Sequence, residues 1–172
     1  MKVLKFGGTS VGSVDSIRQI QHIIGQQTDD CIVVVSALGG ITDQLLKAAH
    51  LALEAGEEYM EVYQAIRCRH MDMVNTLITN PTTRQMLCLE LEGILDELRS
   101  ILFGVHLVKD LSDKTEAAIV SYGERMSSRI VTAALPGAVR KNSLQFIRTD
   151  RKQGQVLLNT ELTEQLIRHA FS

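Results

Sequence analysis

Short apolar runs alternate with amphipathic stripes along this chain, and the alternation divides it into elements. Val3 to Phe6 and Cys31 to Ala37, the second reading CIVVVSA, are rich in β-branched residues and bounded by Gly, Asp or Ser. Runs of this kind predict strands of a parallel sheet, buried on both faces. Between them, SVDSIRQIQHII sets Val14, Ile17, Ile20, Ile23 and Ile24 at three- and four-residue spacing, with Ser13 as N-cap and Gly25 as a stop. Strand, glycine turn, helix and strand make a βαβ unit.

From Ile41 to about Pro136 the pattern turns helical, divided by glycines and a proline into four predicted helices. Leu45, Leu46 and Ala49 mark the first stripe. The second runs through Tyr59, Tyr63, Ile66, His70, Met73, Val74 and Leu77. The third starts with Asn80 as cap and Pro81 in the first turn, where its missing N–H costs nothing. The fourth starts near Ser112 and is stopped by Pro136. SLQFIRTD then predicts another strand, and TELTEQLIRHAF a helix capped by Thr160. The sequence closes on an apolar helix face with no strand after it, so the reading is an incomplete α/β domain, because a parallel strand needs a crossover and a neighbour. No internal repeat, low-complexity tract or linker stands out.

Composition narrows the function classes. The 172 residues suit one domain with a core, 45% hydrophobic and 22% charged. A formal net charge of -2 offers no basic surface for nucleic acid. Cys31, Cys68 and Cys88 are odd in number and widely spaced, without a C-x-x-C or Cys/His cluster, so they read as free buried thiols of a reducing, cytoplasmic setting and leave no metal site. No run approaches about 18 apolar residues and no signal-peptide pattern opens the chain, so neither membrane insertion nor export is expected.

The chemistry concentrates at three places. MKVLKFGGTSVGSVDS carries a lysine, Lys5, at the end of an apolar strand, two residues ahead of Gly7 and Gly8. Gly7 to Gly12 has the glycine spacing of a Walker A loop but Ser13 where lysine belongs, and it lacks the dinucleotide-binding G-x-G-x-x-G. What remains is a glycine pair where backbone N–H groups can meet a phosphate, with Lys5 as a point charge. A tight strand–helix turn with Lys5 reaching to water fits this stretch equally well. The second strand ends in SALGGITD, which brings Ser36, Thr42 and the open backbone of Gly39 and Gly40 to the carboxyl end of a strand, where α/β sheets bind ligands. Helix capping by Thr42 is the competing reading. In SYGERMSSR, Glu124 sits beside Gly123 and Ser127 on an apolar helix. A helix-interior glycine costs about 1 kcal/mol against alanine and so marks a close approach, and a carboxylate there suits an ammonium group. By itself Glu124 also reads as an ordinary solvated residue.

Taken together, KFGGTSVG, VVVSALGGITDQL and SYGERMSS resemble, in order, spacing and identity, the aspartokinases of the amino acid kinase superfamily. The resemblance covers the whole chain but only the first part of a kinase domain. It implies a three-layer αβα sandwich with a mostly parallel sheet, the amino acid kinase fold, across residues 1–172, with a helical insertion at about 42–135. By the same resemblance Lys5, Phe6, Gly7, Gly8, Thr9 and Ser10 hold the phosphates of ATP, supplied with Mg2+, and Lys5 stabilises the transferred group. Ser36, Ala37, Thr42 and Glu124 hold L-aspartate, and the reaction is transfer of the γ-phosphate to give 4-phospho-L-aspartate. The complete protein is expected to be a homo-oligomer. The family's later G-R-G-G-S-D and T-D-x-D-G stretches are absent here, and Thr149-Asp150 does not replace the second, so the chain alone is expected to be inactive. The alternative reading is a non-catalytic amino-acid-binding or assembly module on the same fold.

Overall fold

In the computed structural model, which describes residues 1–54, 56–152 and 154–171, strand β1 (Lys2–Phe6) runs parallel to β2 (Cys31–Val35), with Lys2 beside Cys31 and Phe6 beside Val35. The crossover is helix α1 (Val14–Gly25), whose Ser13 cap accepts from the Ser16 N–H at 3.1 Å. Residues paired in a ladder share a face. Phe6, Val33 and Val35 pack on the core, whereas Val3 and Val34 on the opposite face are 63% and 44% exposed. The expected burial on both faces therefore holds on one face only.

Four helices follow, as the periodicity predicted: α2 (Ile41–Leu51), α3 (Glu58–Leu77), α4 (Pro81–Val108) and α5 (Asp113–Ala134). Asn80 caps as expected, accepting from the Thr83 N–H at 3.0 Å, and Ser112, near which the fourth helix was expected to start, is its cap, accepting from the Thr115 N–H at 3.2 Å. The apolar stripe of α3 is buried along its length. Helix α2 lies against α3 and α5, and α4 lies against the same pair, so one continuous core runs from Val11 to Leu135.

Met1–Ala138 forms one compact unit and Val139–Ser172 another. In the second unit the strand expected over SLQFIRTD begins only at Thr149. Before it, Ser143–Gln145 is a 3-10 turn, with Asn142 accepting from the Leu144 N–H at 3.2 Å and the Ile147 N–H bonded to Ser143 O at 2.8 Å. Local turn chemistry outcompetes the β-propensity of Phe146 and Ile147. Strand β3 (Thr149–Lys152) then pairs antiparallel with β4 (Gln155–Leu158), a strand the sequence reading missed. Helix α6 (Thr160–Ala170) is capped by Asn159 rather than Thr160, its side chain accepting from the Leu162 N–H at 3.0 Å. Asparagine is the better cap, and Thr160 becomes the first helical residue.

One core residue is polar on both sides of its ring. His70 is 0% exposed; its Nδ1 lies 2.7 Å from Ile66 O, which requires the Nδ1–H tautomer, and Nε2 meets no partner. Burial, aided by the charge of Arg69, lowers its pKa from 6.5 to about 4. Between those values the unfolded chain binds a proton that the folded chain refuses, so stability is whole above about pH 6.5 and falls as the pH drops toward 4. The full effect is on the order of 3 kcal/mol. Urea unfolding at pH 7, 6 and 5 should show this slope in the native chain and a flatter one in His70→Leu; identical slopes would remove His70 as the cause.

Candidate functional site

The first glycine turn leaves the end of β1 and folds on itself, with the Ser10 and Val11 N–H groups bonded to Gly7 O at 3.0 and 3.2 Å. The amide of Ser10 is thereby committed within the protein, while the amides of Gly8 and Thr9 meet no acceptor among the described residues. Lys5 is exposed at the strand end and curls over this turn: its Nζ lies 3.9 Å from where a Cβ on Gly7 would stand. It enters no ion pair among the described residues. Phe6 has its side chain on the core, and its carbonyl accepts from the Ser36 N–H at 3.1 Å, so its contribution is to hold the turn in place.

The second turn leaves β2 immediately alongside. A Cβ on Gly8 would stand 3.2 Å from Ala37 O, one on Gly39 3.1 Å from Gly8 O, and one on Gly12 3.0 Å from the same oxygen. The two loops are thus packed backbone against backbone, at a distance that side chains would prevent. Gly40 takes φ +79°, a left-handed conformation that favours glycine, and starts α2 without a side-chain cap. Thr42 is therefore inside the helix and does not cap it. The hydroxyls of Ser36 and Thr42 have no protein partner among the described residues.

Helix α5 closes the arrangement from a position 87 residues further along the chain: the Ala37 N–H donates to Glu124 Oε1 at 3.2 Å. The buried Ser127 hydroxyl donates to Ser36 O at 2.7 Å. Gly123 permits this, since a Cβ there would lie 2.6 Å from the Cβ of Ala37. The close approach signalled by Gly123 is by the protein itself. Glu124 is exposed and pairs with no cation among the described residues, so its second carboxylate oxygen is open. The next residue, Arg125, fixes the helix to α4: it bonds Glu97 at 2.7 Å, lies 4.2 Å from the centre of the Tyr122 ring, and holds the Glu97 carboxyl below its ordinary range. Burial raises the pKa of Tyr122.

The structure brings the three sequence motifs to one place, with Ala37 touched by Gly8 on one side and Glu124 on the other. It also brings in a residue the sequence reading missed. Arg69 of α3 donates to Gly12 O at 3.4 Å and lies 3.8 Å from the Cβ position of Gly40, bridging both glycine turns. Its only sequence signal is a basic residue flanking a buried stripe. The cavity beside it, of about 470 Å3, is lined by Gly12, Arg69, Asp72 and Thr76 among others and includes neither Lys5 nor Glu124. No group of three or more His, Cys, Asp or Glu that could hold a metal occurs among the described residues.

Set against known proteins, the chain matches the amino acid kinase family model over residues 1–172. It is 32% identical over 137 residues to aspartokinase 2, chloroplastic, of Arabidopsis thaliana, covering 77% of this chain and 24% of that protein. With the bifunctional aspartokinase/homoserine dehydrogenase of Buchnera aphidicola the identity is 30% over 141 residues, covering 78% of this chain and 17% of that protein. Its fold is similar to that of E. coli aspartokinase III in complex with aspartate and ADP, with a TM-score of 0.84 at 24% identity, over 98% of this chain and 37% of that one. The chain spans about a quarter or less of the length of these curated relatives.

The two kinds of helix glycine give a direct check on the packing. Gly123→Ala should destabilise the chain by about 1–3 kcal/mol in spite of alanine's better helix propensity, because Ala37 and the β2 end must move. Gly104→Ala in α4, where an added Cβ meets nothing within 4 Å, should stabilise by up to about 1 kcal/mol. Urea denaturation of both reads the difference; a neutral Gly123→Ala would show that α5 is free to shift away from β2.

Proposed function

Since the chain belongs to the amino acid kinase family, matched over residues 1–172, we propose that it is the N-terminal, substrate- and phosphate-binding part of an aspartate kinase. The observation that carries this reading is the meeting of Glu124 with Ala37 beside the glycine turns, because it sets an anion-binding turn and an open carboxylate on one shared loop. The first suits phosphate and the second an ammonium group.

In the proposed reaction an oxygen of the aspartate side-chain carboxylate attacks the γ-phosphorus of ATP. The new O–P bond forms as the bond to the β,γ-bridging oxygen breaks, ADP leaves, and 4-phospho-L-aspartate results. Phosphoryl transfer needs little covalent help from the protein, so positioning and charge neutralisation do most of the work. The free amides of Gly8 and Thr9 and the Lys5 ammonium face the phosphates, and the ammonium can follow charge toward the bridging oxygen. Glu124 takes the substrate ammonium on its open oxygen, while Ser36 and Thr42 offer hydroxyls to the rest of the amino acid. Mg2+ would ride on the phosphates, since the described residues supply no cluster for it. Cys31, Cys68 and Cys88 are free but not buried as expected, Cys68 being exposed and the other two half-buried, and free thiols suit a reducing, cytoplasmic setting.

Two substitutions in the aspartate kinase containing this segment test the assignment by different readouts. Lys5→Ala should lower kcat by on the order of a hundredfold while the aspartate KM moves little, as for loss of one preorganised charge. A folded Lys5→Ala enzyme with most of its kcat intact would show Lys5 to be only a solvated strand end. Glu124→Gln should instead raise the aspartate KM roughly tenfold to a hundredfold and leave the ATP KM nearly unchanged, as for a lost charge-assisted contact. Equal effects on both substrates would make Glu124 a structural prop for Ala37.

A further inference from the structure

One peptide group at the end of β2 is gripped at both ends by a single helix. Its oxygen, Ser36 O, accepts from the Ser127 hydroxyl at 2.7 Å, and its hydrogen, on the Ala37 nitrogen, goes to Glu124 Oε1 at 3.2 Å. In a trans peptide the C=O and N–H point in opposite directions, and helix residues three apart are surface neighbours. The peptide joining Ser36 to Ala37 therefore lies along α5, its oxygen toward Ser127 and its hydrogen toward Glu124. A serine within a helix ordinarily turns its hydroxyl back on a carbonyl of the preceding turn. That acceptor, Glu124 O, is 3.4 Å away, and the shorter bond is the one that crosses to β2.

The two ends of the grip differ in access. Ser127 is 0% exposed, so neither water nor a ligand competes for its bond, and Ser36 O has no other donor among the described residues. Glu124 is exposed, and an ammonium on its open oxygen would compete with the Ala37 N–H for the same carboxylate charge. On the far side of Ser36, its own N–H is bonded to Phe6 O at 3.1 Å. Both peptide planes flanking Ser36 are thereby held, and only two soft dihedrals lie between them. The Cα–Cβ bond of Ser36 has a set direction, and its hydroxyl keeps little freedom beyond rotation about χ1.

We propose that Ser127 is a positioning residue for the amino acid: without touching the ligand, it holds this peptide so that the Ser36 hydroxyl and Glu124 face one molecule together. The inference rests on the reading in which Ser36 and Glu124 take L-aspartate. It assigns the buried bond the lasting part of the grip and the Glu124 bond the part that yields to substrate.

Calorimetry on the aspartate kinase containing this segment tests it. Ser127→Ala should weaken aspartate binding roughly tenfold, as for an interior acceptor left unpaired, and change the ATP affinity by less than about twofold. A cycle with Ser36→Ala separates positioning from plain loss of stability. If Ser127 acts through the Ser36 hydroxyl, the double variant should bind aspartate within about twofold of Ser36→Ala alone. Independent, multiplying effects overturn the proposal and leave the kinase reading standing, as does an unchanged aspartate Kd in Ser127→Ala. A Ser36→Ala protein with native aspartate affinity overturns it as well. A native protein that binds no aspartate refutes the kinase reading and this inference together. Should Ser127→Ala misfold, Ser127→Cys, similar in size with a weaker donor, goes through the same cycle and decides.

Discussion

The arrangement of the site rests on a contact between bare backbones, Gly8 against Ala37 and Gly39, with the oxygen of Gly8 held between Gly12 and Gly39. Two strand ends that pair in parallel sit about 4.8 Å apart. Loops leaving them toward the same side must either diverge or be built from residues without side chains. Glycine at 8, 12 and 39 takes the second course. The result is a double turn in which the amides of Gly8 and Thr9 and the hydroxyls of Ser36 and Thr42 have no partner among the described residues, and it is these that the proposed phosphate and amino acid would meet.

The helical segment supplies the third wall. Helix α5 can reach Ala37 only because Gly123 removes a side chain at the crossing, and Glu124 and Ser127 then bond the backbone of the β2 end. Its depth against the core is set through α4, where Arg125 and Arg129 reach Glu97 and Glu90 at 2.7 and 2.5 Å. Such half-exposed pairs add little stability each. Their value is geometric, since a shift of α5 along its axis would carry Glu124 away from Ala37. Arg69 does a similar task from α3, touching both glycine turns at once. The helices are therefore a scaffold for two short loops, and the buried, partly unsatisfied His70 lies within that scaffold.

Where the chain leaves apolar surface bare, the surface is patterned. The outer face of the β1–β2 pair presents Val3 and Val34 beside Lys5, and the outer face of α4 presents leucines and a phenylalanine around a glycine. The first is a sheet face of a family whose relatives are several times longer than this chain. A helix with a 28-residue run from Pro81 to Val108 has length to spare for both a core stripe and an outward one.

Sequence alone determined the elements whose signals are local. The βαβ start, the caps at Ser13 and Asn80, the helix start near Ser112 and the complete buried stripe of α3 were legible because capping and 3.6-residue periodicity depend on near neighbours. The three motifs were legible too, as residue types suited to phosphate and ammonium. The tertiary structure decided what those residues touch. Gly123 could have answered to a ligand or to the protein, and only the fold set it on Ala37; Thr42 could have been a cap, and only the left-handed Gly40 took that place. Ser143 to Asp150 misled because Asn142 and Ser143 satisfy the following backbone in a turn before any strand partner can, and Arg69 stayed hidden because its partners lie more than 25 residues away along the chain. Local patterns fix which face of an element is apolar, but which partner meets that face depends on contacts between distant segments, and one sequence carries no record of those distances.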